Sequence, residues 1–209
     1  DSFTVLRVLI IAPKLVAEET WPTEIEAWQH TRLMSYAVCV GTPAARTAAI
    51  RADAEITIVN RENLVWLVNQ FGTPEAWPYD CVVVDESSMF KAGRKRTRRS
   101  RVKDSKGRVK VRTGGRITRF GAFAKVRKMI DRIYLLTGTP GQLVDLWGQV
   151  YLLDQGKRLG PTQEAFHGRW FNVNRYAHTI TPKEYAEGEI MPRVRDVMIS
   201  LPPLDLVPQ

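Results

Sequence analysis

The sequence predicts a three-layer α/β domain built on a mostly parallel sheet. Five short runs are rich in Val, Ile and Leu, and helix-compatible stretches separate them. The runs are continuously apolar rather than alternating. That is the pattern of strands covered on both faces, which only a parallel sheet between two helical layers requires.

The first run, Val5 to Ile11, is stopped by Ala12-Pro13 and followed by a helical stretch from Leu15 to about His30. The second, Tyr36 to Val40, ends in Gly41-Thr42-Pro43 and leads into an Ala-rich helix reaching about Ala52. Ile56 to Val59 forms the third strand, with Glu62 to Gln70 as its helix. Pro78 announces the fourth, Tyr79 to Val84, and Arg132 to Leu136 is the fifth, followed by a helix over Leu143 to Leu153. From Gly160 the pattern breaks into short aromatic pieces around Phe166, Trp170-Phe171, Tyr176 and Tyr185. Pro202-Pro203 reads as a linker. The predicted organisation is therefore a domain over residues 1–158, an aromatic extension over 159–200 and a linker over 201–209.

Composition excludes several classes. The chain has 209 residues, is 44% hydrophobic and contains six Trp, which suits a folded protein and not a disordered one. Cys39 and Cys81 sit in separate apolar runs without a CxxC pattern, so both read as buried thiols. His30, His167 and His178 lack metal-ligand spacing. No stretch approaches membrane-spanning length, and the expected setting is a reducing, aqueous one.

The net charge of +9 conceals a sharp asymmetry. Residues 91–128 hold 17 of the 31 Lys and Arg and one of the 22 Asp and Glu, a net of +16 against −7 for the remainder. One strongly basic segment on a mildly acidic domain points to a polyanionic partner at one place.

In open parallel sheets, functional groups lie beyond the carboxyl ends of strands. The fourth strand ends in Asp85-Glu86-Ser87-Ser88. One carboxylate there can hold Mg²⁺, and its neighbour can direct an attacking water. Alone, the pair could equally be an acidic first turn beside a helix cap. The fifth strand ends in Thr137-Gly138-Thr139-Pro140, whose hydroxyls can reach a carboxylate and a nucleic-acid phosphate. A plain capped turn is the alternative. Finding both motifs on parallel-strand ends favours the functional reading.

"VVVDESSMFK" followed by "RIYLLTGTP" resembles motifs II and III of superfamily-two helicases, in the Swi/Snf-like branch and in its phage-type form. "LIIAPKLVAEETWPTEIEAW", "ITIVNRENLVWLV" and "LVDLWGQVYLLDQGKRLG" are similar to other elements of that branch, in the expected order over about 160 residues. The resemblance implies a RecA-like first motor lobe that uses ATP and Mg²⁺. It implies that Asp85 coordinates the magnesium of MgATP and Glu86 positions the water. Thr137, Gly138 and Thr139 would couple hydrolysis to nucleic acid, and Lys14 and Asn60 would lie near the bound strand. Thr42 and Arg46, in "GTPAAR", are weaker candidates for the same contact. DNA is the expected partner, with RNA as the alternative, and the expected location is the cytoplasm of a phage host.

Two departures follow from the same resemblance. The Gly-rich loop ending in Gly-Lys-Ser/Thr that cradles phosphates is absent from these 209 residues. Motifs IV to VI of a second lobe are absent too, and Pro202-Pro203 falls where that lobe would start. A hydrolysing motor would need both parts. A module that binds nucleic acid or a partner without hydrolysis is the competing reading.

The basic segment, residues 91–116, is an insertion relative to ordinary members. It carries Arg94, Lys95, Arg96, Arg98, Arg99, Arg101, Arg108, Lys110 and Arg112 as candidate nucleic-acid contacts. Arg101-Val102-Lys103 and Arg108-Val109-Lys110 flank Asp104 to Gly107, which predicts a two-stranded ribbon around a four-residue turn. A flexible basic loop is the alternative, and either form binds polyanions. Phe120 and Phe123 follow at helical spacing and are expected in the core.

Overall fold

The computed structural model describes residues 5, 7–90, 97–103, 109–115, 117–138, 141–174 and 176–199, with 97–103 and 109–115 described as backbone only. The chain divides into two compact units, Asp1–Pro140 and Gly141–Gln209.

The first unit is built on a five-stranded parallel sheet. Its strands are β1 (Val8–Ala12), β2 (Tyr36–Cys39), β3 (Ile56–Asn60), β4 (Cys81–Asp85) and β7 (Arg132–Leu136), in the order β2-β3-β1-β4-β7. The central strands are buried along almost their whole length, as their unbroken apolar runs require. On one face Ile10, Ala12, Ile56 and Ile58 pack with Ala17, Ile25 and Val40. Leu9, Ile11, Val59, Val82 and Val84 alternate to the opposite face and are fully buried. Among the described residues β7 pairs with β4 alone, and its Tyr134 and Leu136 are 53% and 45% exposed.

Helices α1 (Trp21–Ala27), α2 (Pro43–Arg51), α3 (Leu64–Gln70) and α4 (Arg119–Val126) flank the sheet. Helix α2 starts where Thr42 accepts a hydrogen bond from the Ala45 N–H, with Pro43 in the first turn. Thr118 caps α4 in the same way. The stretch expected as one helix from Leu15 is interrupted, because Val16–Thr20 forms a π-turn before α1. Pro22 accounts for this: it cannot donate to the preceding turn, so the regular ladder fails there. Phe123 is fully buried and stacks on Phe90 with ring centroids 5.3 Å apart, which makes it a core residue.

The basic segment contains two antiparallel strands, β5 (Thr97–Lys103) and β6 (Val109–Gly115), with Lys103 paired to Val109. These strands lie where the ribbon was expected, and the turn expected over 104–107 lies outside the described residues. Arg98, Arg99, Arg101, Lys110 and Arg112 lie in these strands. Arg94, Lys95, Arg96 and Arg108 fall outside the described residues.

The second unit holds the short aromatic pieces in ordered elements. Helix α5 (Leu146–Asp154) is followed by α6 (Gln163–Trp170), the hairpin β8 (Phe171–Asn174) and β9 (Thr179–Pro182), and α7 (Ala186–Val194). Phe166, Trp170, Phe171, Ile190 and Val194 are buried. The Trp170 indole donates to Glu189 at 3.0 Å and joins α6 to α7. Beyond α5 the chain turns back through Gln155 and Gly156, both at positive φ, around the buried Asp154 carboxylate. That carboxylate accepts from the backbone N–H groups of Gly156, Lys157 and Arg158 at 2.8, 3.2 and 3.0 Å. A Cβ on Gly156 would meet the Gly160 carbonyl oxygen at 2.6 Å, so the turn requires glycine.

Candidate functional site at the carboxyl edge of the sheet

The registers of the parallel strands bring their carboxyl ends to one edge. Ala12 pairs with Asn60, Ile11 with Val84, and Asp85 with Leu136. Lys14, Asn60, Asp85, Glu86, Thr137 and Gly138 therefore all emerge at the same rim, although they are scattered over more than half the sequence.

Asp85 is the last residue of β4, and the chain reverses immediately after it. Glu86 makes that reversal at φ 59°, a left-handed conformation that costs a residue with a side chain about 1–2 kcal/mol. The turn that follows, Ser87–Phe90, is fixed from below by the fully buried Ser87 and Phe90. Its rigidity holds Glu86 in the unfavourable conformation.

The Glu86 carboxylate is tied at one oxygen. Ser88 donates to Oε1 at 2.5 Å, and Thr137, just beyond β7, donates to the same atom at 3.0 Å. The two strand-end motifs are thus joined side chain to side chain. Asp85 is held separately, by the Trp21 indole N–H donating to Oδ2 at 3.1 Å. Gly138 is exposed, and Thr139 lies outside the described residues.

The remaining rim residues divide. Lys14 is exposed and forms a long ion pair to Glu18 at 3.9 Å. Asn60 is buried, donating to Glu62 at 2.9 Å and accepting from Asn63. Glu62 also receives Arg61 at 2.9 Å and lies 3.8 Å from Arg119. Burial pushes the Glu62 carboxyl up, but the bonds from Arg61 and Asn60 prevail and hold it below its ordinary range. Arg46 turns inward, donating to Asn63 and lying 4.2 Å over the Trp66 ring, while Thr42 is used as a helix cap. The weaker pair of candidates in "GTPAAR" is therefore occupied in structure.

Sequence reasoning missed the contacts of Ser88 and Trp21. Ser88 carried a faint signal, as a hydroxyl two residues from a strand-end carboxylate. Trp21 carried none, since its partner is 64 positions away. Cys39 and Cys81 are buried free thiols, and burial pushes Cys39 up to about 11, so neither is a nucleophile at neutral pH. Among the described residues no helix is long and apolar enough to cross a membrane.

No family model matches the chain. It is similar to protein p41 of Acyrthosiphon pisum secondary endosymbiont phage 1, at 36% identity over 205 residues. That alignment covers 94% of this chain and 40% of p41, so the chain spans about two-fifths of the relative's length. Among solved structures it is similar to the Sulfolobus solfataricus SWI2/SNF2 ATPase core in complex with dsDNA, with a TM-score of 0.56. The match covers 90% of this chain and 33% of that one, at 19% identity. The fold is RecA-like.

Proposed function

We propose that this chain is the first motor lobe of a DNA-dependent ATPase of the helicase or translocase kind, of the phage-type Swi/Snf-like branch. The lobe spans residues 1–158 and carries the basic insertion 91–116. The observation that carries the reading is the Thr137–Glu86 bond, because it joins the strand-end carboxylate to the turn assigned to nucleic-acid coupling. The likeness to a phage protein and to a SWI2/SNF2 ATPase core supports it.

The residues fit magnesium held with a nucleotide better than magnesium held by protein alone. Among the described residues no group of three or more His, Cys, Asp or Glu could hold a metal. Mg²⁺ on one carboxylate and substrate phosphates needs no such group. Asp85 would hold that ion, which when bound supplies charge neutralisation on the phosphates. Glu86, fixed through Oε1, would orient the attacking water and take its proton. Lys14 and the basic residues of 94–112 would meet the DNA backbone, whereas Asn60 would act by shaping the rim rather than by direct contact.

Since the sequence holds no Gly-Lys-Ser/Thr loop, this chain by itself should bind nucleotide feebly and not turn it over. The test joins it to such a loop and a second lobe. Glu86→Gln should then retain MgATP binding and lose hydrolysis by several orders of magnitude, while Asp85→Asn also weakens magnesium-dependent binding. Near-normal hydrolysis by Glu86→Gln would refute the assignment. If no joined form hydrolyses ATP but the chain binds DNA, the non-hydrolysing module is the correct description.

A further inference from the structure

We infer that Trp21 is a positioning residue for Asp85, fixing which carboxylate oxygen is offered to a divalent cation. The inference rests on the reading of Asp85 as a magnesium carboxylate and adds a determinant from a different part of the fold.

Three observations carry it. The indole N–H of Trp21 donates to Asp85 Oδ2 at 3.1 Å in a partly buried setting. The partly buried Trp21 ring packs against the core cluster that includes Ile10, Ala12, Ala17 and Ile25, so the donor is backed by the core. Finally, Trp21 sits where the π-turn Val16–Thr20 meets α1, and its own backbone N–H reaches the Val16 carbonyl five residues back. One extra residue in a turn rotates everything beyond it by about 100° relative to an uninterrupted helix. That rotation sets the direction of the Trp21 side chain. A π-turn forms poorly by itself, and such turns gather at functional sites. Here its product is a donor aimed at a strand-end carboxylate.

The chemical consequence concerns denticity. A carboxylate with both oxygens free can grip a cation with either or both. With Oδ2 engaged by a fixed indole, Asp85 presents Oδ1, which favours a single-oxygen contact of defined direction. Mg²⁺ demands near-octahedral geometry and suits such a ligand better than a bidentate one. Partners that orient a ligating carboxylate commonly affect metal affinity by about 10–100-fold.

The test uses the 209-residue chain with millimolar Mn²⁺ as a paramagnetic probe, whose broadening registers even the weak contact that a single carboxylate makes without nucleotide. In a ¹H–¹⁵N spectrum the six Trp indoles give separate signals, and Trp21→Phe identifies its own by loss. Titrated Mn²⁺ should broaden the Trp21 indole before the other five. Trp21→Phe, which keeps the ring packing and removes the donor, should lower Mn²⁺ affinity about tenfold with an unchanged thermal midpoint. Unchanged affinity in Trp21→Phe, with binding abolished in Asp85→Ala, would overturn the inference and leave the metal site standing. Binding that survives Asp85→Ala would remove the metal reading and this inference together. Should Trp21→Phe fail to fold, replacing the other five Trp one at a time by Phe assigns the Trp21 signal by elimination, and broadening of another indole first overturns the proposal.

Discussion

Thr137 donates its hydroxyl to Glu86 Oε1 at 3.0 Å, linking residues 51 positions apart through adjacent strand ends. Ser88 uses the same oxygen, so Oε2 is not needed to hold the side chain in place. The arrangement makes the Glu86 rotamer depend on where the turn after β7 sits. Nucleic acid that moves that turn would change the carboxylate's aim.

Replacing Thr137 by Val keeps the shape and removes the donor. A hydrogen bond to a charged group is worth about 1.5–3 kcal/mol, so DNA-stimulated turnover in the joined motor should fall roughly 10- to 100-fold. The basal rate should fall less. Steady-state ATPase assays with and without duplex DNA measure both, and equal loss in the two would show that Thr137 supports Glu86 without coupling.

Residues 94–116 should provide the dominant DNA contact. Deleting them, or replacing Arg94, Lys95, Arg96, Arg98, Arg99 and Arg101 by Ser, should leave the five-stranded sheet folded, since β5 and β6 pair with each other and lie outside it. Neutralising six phosphate contacts would lower the slope of log K against log salt by about 5. Neighbouring arginines cannot all reach phosphates, so a fall of about 2 to 4 is expected. Fluorescence anisotropy over a salt series reads the slope, and circular dichroism confirms the fold. An unchanged slope would assign the basic run to another acidic partner.

In the second unit, Asp154→Ala leaves three backbone N–H groups and the Arg158 guanidinium, 3.1 Å away, without their common acceptor. The expected loss of stability is about 3 kcal/mol, and Asp154→Asn should lose less because one oxygen remains. Urea titration of the chain, following Trp fluorescence, measures it. A loss below about 1 kcal/mol would mean that water replaces the carboxylate without penalty.

His167 makes unit two sensitive to mild acid. Its Nε2 is buried without a hydrogen-bond partner, and burial lowers its pKa, against a smaller opposing effect of Glu164. The folded state therefore resists a proton that the unfolded chain accepts near pH 6.5. Stability conferred by the neutral ring is full above that pH. It is lost as pH falls below it, until the folded value is passed. Urea midpoints at pH 7.5 and 5.5 should differ more for the wild type than for His167→Gln. Equal differences would show that other groups account for the pH dependence.

The sheet was legible because its strands are unbroken apolar runs ended by proline, glycine or charge. Arg132–Leu136 coincides with its predicted limits, whereas β1 starts at Val8 rather than Val5 and runs one residue further, to Ala12. Asp85, Glu86 and Thr137 were legible as strand-end residues, since parallel topology alone carries such positions to one rim. Helices α6 and α7 were not. They are eight and nine residues long, contain Gly168, Gly188 and Pro192, and are held by the Trp170–Glu189 contact, which no periodicity encodes. The π-turn was hidden for a related reason: Pro22 signals that a helix is disturbed but not whether it bends, ends or widens.

The outer side of β7 bears on handling the protein. Among the described residues the strand shares its backbone with β4 alone, its free side is bordered by the exposed Tyr134 and Leu136, and Arg132–Leu136 has no proline or bulge to deter annealing. Such an edge is a nucleus for edge-to-edge aggregation, and the chain's net charge of +9 opposes self-association only while counterions are scarce. Concentrated stocks in high salt should therefore scatter light progressively, whereas dilute, low-salt stocks stay clear. A lysine at position 134 would be the simplest gatekeeper.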